Sequence, residues 1–324
     1  MTRISLRRRF LGGLLLLSAV ACQARGEQAR EAKAETHVRI GYQKSSPLVL
    51  LKWRGTLEAS LQQHHVSVEW AEFPAGPVLI EALNAGQLDI GYVGEAPPIF
   101  GQAASSSLVY VAVDRPSPKN EAILVPRDSS IHTLADLKGK TVALNKGSNV
   151  HYFLVRALAK AGLGYRDVQV AFLPPADARA AFENGTIDAW VIWDPYLAAA
   201  EVALGPRVLS TGEGIVDNNS FYIARREFID AEAELSRSIF EQVRLTDEWA
   251  RQHRDEVAKH LGPLLGIDDH AIQASVARSS WGIGPIGDET ISAQQRIADT
   301  FLELGLLEKP LRVRDALPLE NVLR

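Results

Sequence analysis

Two polar loops hold the side chains best placed to do chemistry: Gln43-Lys44-Ser45-Ser46, and Asn145-Lys146-Gly147-Ser148 running on into Asn149. Each follows a short apolar stretch, Val38–Tyr42 or Val142–Leu144, and each opens an apolar run of helical period. Hydroxyls, carboxamides and the unpaired N–H groups of a first helical turn are hydrogen-bond donors, and together they suit an anion. Ser148 sits where an N-cap belongs, which would also explain it without any ligand. A second pair of sites ends two further strands: Gly94-Glu95-Ala96-Pro97-Pro98 and Trp193-Asp194-Pro195-Tyr196. Trp193 is large enough to wall a small ligand. Asp194 reads equally well as a cap with proline at the first helical position. Asn218-Asn219 offer amide hydrogens or form a plain turn. Glu95 and Asp194 would repel an anion unless they serve as caps or the guest also carries a cationic end.

Other chemistry is excluded by pattern. The eight histidines show no HxxxH or HExxH spacing, and no serine stands in GxSxG. Gly282–Gly287 spells GxGxxG but follows a helical stretch and contains Pro285, so it is no dinucleotide loop. Leu137–Thr141 contains GKT, yet Leu134 stands where a phosphate loop needs its first glycine. No catalytic constellation emerges, and no metal or cofactor is expected.

The elements that must position these loops repeat. Glu81–Gly94 (EALNAGQLDIGYVG) echoes Ala180–Trp193 (AAFENGTIDAWVIW), setting Gly86 against Gly185 and Asp89 against Asp188. Alternating runs predict strands at 37–43, 66–73, 88–94, 108–114, 121–126, 141–146, 168–173, 189–193, 207–210 and 220–225. Helical runs fall near 48–63, 77–86, 133–138, 148–161, 177–183 and 195–203. This rhythm predicts an α/β chain of two lobes with mostly parallel sheets and a ligand cleft between them. In the helix from Ser148, Val150, Phe153, Leu154, Ala157, Leu158 and Ala161 make one apolar stripe, and Gly162 sits where a left-handed cap belongs. After Arg226 the chain turns helical. If it crosses at Arg115–Asn120 and again at Ser220–Arg226, lobe 1 is 37–120 plus 226–318 and lobe 2 is 121–225, joined by a hinge.

At 324 residues, with 46% apolar and 23% charged, the chain is long enough for two lobes. Residues 1–21 read as a signal peptide: Arg3, Arg7, Arg8 and Arg9, an apolar core from Phe10 to Val20, then Ala19-Val20-Ala21. That core is too short to span a hydrocarbon layer of ~30 Å. Arg7-Arg8-Arg9-Phe10-Leu11 also fits a twin-arginine pattern loosely, so either export route stands. Cleavage removes four of the 35 basic residues and none of the 39 acids, leaving a formal charge of −8. Nucleic acid and anionic lipid are poor partners for that surface. The single cysteine, Cys22, directly follows the cleavage site, where it is either a lipid-modified first residue or an incidental thiol. Residues 22–36 read as a tether.

At the loops the sequence resembles the periplasmic aliphatic sulfonate-binding proteins of ABC importers, within the nitrate/sulfonate/taurine-binding group. The matching stretches are RIGYQKSS (39–46), EFPAGP (72–77), EALNAGQLDIGYVGEAPPIF (81–100), DLKGKTVALNKGSNVHYFLVRALAKAGL (136–163), LPPADARAAFENGTIDAWVIWDPYLAA (173–199) and QQRIADTF (294–301). The resemblance implies a type II periplasmic-binding fold and no enzyme activity. It implies a monomer that captures an alkanesulfonate and delivers it to a permease driven by a separate ATPase. Taurine, nitrate or another small anion is the alternative guest. By position it implies a pocket drawn from Gln43, Ser45, Gly94, Glu95, Ser148, Asn149, Trp193, Asp194 and Asn219, with Lys146 supporting its loop.

Overall fold

Alternating apolar residues build ten strands among the described residues, and these sort into two separate sheets. The computed structural model describes residues 36–324 except 45, 106, 320, 321 and 324. The signal segment, the tether up to residue 35, Cys22 and Ser45 lie outside the described residues. The strands are β1 (Thr36–Tyr42), β2 (Val66–Glu72), β3 (Ile90–Gly94), β4 (Leu108–Val113), β5 (Glu121–Val125), β6 (Thr141–Leu144), β7 (Gln169–Phe172), β8 (Ala189–Trp193), β9 (Arg207–Thr211) and β10 (Ser220–Arg225). The first sheet runs β2-β1-β3-β10-β4 and the second β7-β6-β8-β5-β9.

Both sheets are mixed, where the sequence predicts mostly parallel ones. β1 pairs in parallel with β2 and β3, as β6 does with β7 and β8. β10 runs antiparallel to β3 and β4, and β5 antiparallel to β8 and β9. The reversed strands are the two entered straight from a crossing segment, without a covering helix to turn the chain around. β10 also moves the expected lobe boundary. Residues 220–225 complete the first sheet rather than ending the second lobe, so the return crossing precedes Ser220. The two crossings lie side by side: Asp114 N donates to Ser220 O (2.8 Å), Ser117 N to Asn218 O (3.3 Å) and Gly212 N to Pro118 O (2.9 Å).

The helices are α1 (Leu48–Arg54), α2 (Thr56–Leu61), α3 (Gly76–Asn84), α4 (Pro97–Ala104), α5 (Asn149–Lys160), α6 (Pro175–Glu183), α7 (Tyr196–Leu204), α8 (Arg226–Ala231), α9 (Ala233–Gln252), α10 (Arg254–Leu265), α11 (Asp269–Arg278) and α12 (Asp288–Glu303). The run predicted at 48–63 is broken because Gly55 adopts a left-handed conformation, φ +62°. α4 escaped the sequence reading, its two opening prolines serving as helix-starting residues. In α5 the apolar stripe is buried, and Leu163 N closes back on Leu158 O after Gly162 turns left-handed (φ +73°). Strands β5 and β8 are buried along their whole length, as sheets covered on both faces require.

Candidate functional site

Loops at the C-terminal ends of β1, β3, β6 and β8 converge where the two lobes meet, the usual place for a ligand in open α/β sheets. They enclose a cavity of about 50 Å³. Gln43, Tyr92 and Gly94 come from the first lobe, and Asn149, Trp193 and Asp194 from the second. The crossings add Ser117, Asn120, Asn218 and Ser220. Among the described residues, no arginine or lysine lines the space. One water needs about 10–15 Å³ on this scale. The space therefore fits a compact head group, with any chain left to extend out of it.

Asn149 is the keystone of the wall. Its Nδ2 donates to Glu121 Oε2 (2.7 Å) and to Asn218 Oδ1 (3.0 Å), while Asn218 Nδ2 donates to Ser117 O (2.9 Å). That chain of bonds fixes both carboxamides and spends both Asn149 side-chain hydrogens. Its Oδ1 faces Gly94, where an added Cβ would lie 3.1 Å away. The backbone N–H groups of Asn149 and Val150 have no partner among the described residues, as expected for a first helical turn. Gln43 Nε2 donates one hydrogen to Tyr92 O (3.2 Å) and keeps the other. Tyr92 donates its hydroxyl to Asp114 Oδ2 (3.0 Å).

Carboxyl groups surround this neutral space, and burial mutes them. Burial pushes Glu95 up to about 8, although Asn219 N donates to its Oε2 (2.9 Å). Burial also raises Glu121 well above the usual carboxylate range, with nearby Glu95 adding to the shift. Asp194 is raised by burial to about 7 despite the opposing pull of Arg278. Asp194 Oδ1 accepts from Ala198 N (3.1 Å), and its Oδ2 lies 3.2 Å from Arg278 Nε, an ion pair without hydrogen-bond geometry. Arg278 also pairs with Glu201 on α7, so α11 is tied across to the second lobe. Behind the second loop, Gly147 N donates to His151 Nδ1 (3.3 Å), leaving Nε2 protonated toward the Tyr165 hydroxyl (2.7 Å). Burial and then Lys146 lower His151 to about 4, so it stays neutral.

A larger depression of about 690 Å³ lies beside the site, with the buried carboxyls Asp114 and Asp247 on its wall. Three arginines (Arg115, Arg244 and Arg251) share that wall with five acidic residues (Asp114, Asp217, Asp247, Glu248 and Glu289), so its lining is acidic on balance.

The sequence of residues 31–262 matches the NMT1-like family. This chain belongs to the NMT1-like family. The aliphatic sulfonates-binding protein of Escherichia coli (strain K12) is 42% identical to this NMT1-like chain over 306 residues, 94% of this chain and 93% of that protein. Among solved structures, the alkanesulfonate-binding protein SsuA from Xanthomonas axonopodis pv. citri, bound to MOPS, superposes with a TM-score of 0.84 at 39% identity. That match covers 87% of this chain and 98% of the other. The periplasmic aliphatic sulphonate binding protein SsuA from Escherichia coli gives 0.80 at 41% identity, covering 88% and 94%. The NMT1-like chain thus shares their two-lobed α/β fold.

Of the residues singled out by sequence, the NMT1-like structure brings Gln43, Gly94, Asn149, Trp193 and Asp194 to the cavity. Four described ones fall elsewhere. Glu95 is buried behind the wall and faces another pocket. Ser148 is buried and donates to Asn145 O (2.7 Å), so it shapes its loop without capping the helix. Lys146 is exposed, its Nζ 5.5 Å from the Phe172 ring centre. Asn219 uses its backbone N–H on Glu95 and lines the large depression. Asn218, beside it in sequence, is the one on the cavity wall. The helix expected to start at Pro195 opens at Tyr196, after a cis Asp194–Pro195 peptide. Strand alternation from Gly94 could have found Tyr92. Ser220 is there because it pairs with Gly94 across the sheet, a long-range register that no local signal announces.

Proposed function

We propose that this chain is a solute-binding protein that captures aliphatic sulfonates between its lobes and hands them to an ABC permease powered by a separate ATPase. The observation that carries this is the small interlobe cavity, lined by no cationic side chain among the described residues and with neutral donors from both lobes. A sulfonate is permanently ionised and spreads its charge over three oxygens, so it asks for several directed donors more than for one counter-ion. The names of the relatives at 42% and 39–41% identity support the same guest. Between taurine and simple alkanesulfonates, the state of Asp194 favours the latter. An ammonium end would need a free carboxylate, and Asp194 is already paired with Arg278 and largely muted by burial. Among the described cavity residues, no serine hydroxyl is hydrogen-bonded to a histidine or carboxylate, and binding rather than turnover is the reading.

The two crossings, residues 114–120 and 212–219, serve as the hinge in this reading, and the closed lobes are the form that docks to the permease. The protein works in the periplasm after export. Its state there is a monomer, anchored if Cys22 carries lipid; the intact mass of the mature protein distinguishes a free from a lipid-modified amino end. Among the described residues no helix is long and apolar enough to cross a membrane. Calorimetric titration with methanesulfonate, longer alkanesulfonates, taurine, nitrate and sulfate tests the guest. Binding of alkanesulfonates over a range of chain lengths is expected; uptake of nitrate or taurine in their place would sink the reading.

A further inference from the structure

We propose a second oxyanion site on the far side of the cavity wall, held by Arg156 of α5 and Arg296 of α12 and assembled only when the two lobes meet. A pocket of about 370 Å³ lies there, separate from the ligand cavity and sharing no lining residue with it. Arg156 comes from the second lobe and Arg296 from the first. Both line the pocket, and neither side chain has an ion pair or hydrogen bond among the described residues. Both residues are exposed at the pocket, so solvent screens their repulsion, and an anion seated between them would turn that repulsion into attraction.

The remaining wall supplies donors. Tyr152 lines the same pocket: burial raises its phenol, Arg156 and Arg296 act on it in the opposite sense, and Glu95 and Asp217 add to the rise. Both guanidinium groups are therefore within electrostatic reach of one hydroxyl. Glu95 also lines the pocket, fully buried, with Oε1 lacking any partner. Burial keeps that carboxyl protonated up to about pH 8, which makes it a donor at neutrality. Asp217 at the rim is one opposing carboxylate against two guanidinium groups. Planar guanidinium forks, a phenol and a neutral acid suit a tetrahedral oxyanion. Val216 and Ile297 give its substituent an apolar flank. The shared chemistry is an XO3 or XO4 head, supplied either by inorganic sulfate or by a second alkanesulfonate.

Because each lobe contributes one arginine, an anion here favours the closed form. Linkage then requires that it and the cleft ligand tighten each other's binding by the same factor. This coupling rests on the cleft reading given above. The test is calorimetry of methanesulfonate binding to the mature chain, in millimolar sulfate and in chloride of matched ionic strength. Sulfate is expected to tighten methanesulfonate about fivefold in wild type. It should do nothing in Arg296→Ala or Arg156→Ala, whose affinity in chloride stays unchanged. A stoichiometry of two methanesulfonates in wild type and one in Arg296→Ala identifies a second substrate as the occupant. A stoichiometry of one together with the sulfate effect identifies the inorganic anion. Equal behaviour in sulfate and chloride, or weakening by sulfate in wild type and variants alike, overturns the proposal. If the cleft reading alone fails, the one site left in wild type, for sulfate or methanesulfonate, is lost in Arg156→Ala/Arg296→Ala.

Discussion

The two lobes solve one structural problem identically and one functional problem in opposite ways. In both, an aspartate before the central strand ties that strand to its neighbour: Asp89 Oδ2 accepts from Arg39 N (2.9 Å), and Asp188 Oδ2 from Thr141 N (2.8 Å). The glycine three residues earlier is left-handed in each, φ +72° at Gly86 and +67° at Gly185, ending the preceding helix. At the tips of the echoed strands the lobes part company. Gly94 carries no side chain in the first lobe, which lets Asn149 pack against it, and Trp193 holds the equivalent position in the second. The next residues, Glu95 and Asp194, are both buried acids, yet only Asp194 has a cationic partner. The loops differ as well. Leu48 N and Val49 N are taken up by Ser46, whereas the amides of Asn149 and Val150 are left open. A repeated scaffold thus supplies a receiving side and a donating side.

Placing bulk on the receiving side is the strongest way to break that division. Gly94→Val puts a branched side chain against Asn149, already at 3.1 Å from a single added carbon. Overpacking of this kind costs about 1–3 kcal/mol, which predicts a roughly hundredfold loss of alkanesulfonate affinity at the upper end. Titration calorimetry checks it, and an unchanged circular dichroism spectrum separates it from unfolding. Wild-type affinity in this variant would mean that the lobes do not close at Gly94. On the donating side, Asn149→Ala leaves Glu121 Oε2 and Asn218 Oδ1 without their donor. Stranding buried acceptors costs about 1–3 kcal/mol, so affinity is expected to fall about tenfold or more. Gln43→Ala, which removes a single bond to Tyr92 O, is expected to lose less.

The scaffold itself separates the lobes by a smaller margin. Asp89 is paired with Arg39 (2.8 Å) and Arg225 (2.6 Å), while Asp188 forms no ion pair among the described residues. Asp89→Asn is therefore expected to destabilise the fold by about 2 kcal/mol, discounted because both arginines are partly exposed, and Asp188→Asn by about 1 kcal/mol or less. Denaturant unfolding measures both. Burial pushes Asp89 up, but the Arg39 and Arg225 hydrogen bonds outweigh it and hold the carboxyl below its usual range. Its contribution is thus present above the unfolded value and fades as pH falls through the lower folded one. The gap between Asp89→Asn and wild type should narrow in acid.

These contrasts explain what the sequence could and could not reveal. Strands such as β8 were legible because two buried faces demand an unbroken apolar run, and the echo of Asp89 in Asp188 marked a real constraint on strand ends. α5 was legible from its stripe and from Gly162. The antiparallel entry of β10 was hidden, since FYIA reads the same in either direction and only its partners decide. Residue type told which loops carry donors but not which donors are already spent. Ser148 looked like a cap and instead bonds Asn145 O. Asn218 and Asn219 are alike in sequence, and Asn218 reaches the wall because its φ of +52° turns it inward where its neighbour turns away.

The two buried acids give the finest test of the comparison, because their protonation opposes the charge of the guest. An ionised Glu95 or Asp194 beside the cavity repels a sulfonate across a poorly screened wall, while the protonated forms do not. Glu95 is pushed up to about 8 and Asp194 to about 7, each mainly by burial. Both raised values mean that the closed form is favoured at low pH and that this advantage is lost as pH rises through each folded value. Sulfonate affinity should therefore fall as pH rises from the ordinary carboxylate range of about 4 through about 7 and 8 and level off above, the guest's own charge being constant throughout. Glu95→Gln keeps an acceptor for Asn219 N and removes one titration, so the upper part of the decline should flatten. Asp194→Asn should flatten the lower part at some cost to the Arg278 tie. A decline that persists unaltered in both variants would assign the pH response to groups outside the cavity wall, and the matched acids would then be caps and nothing more.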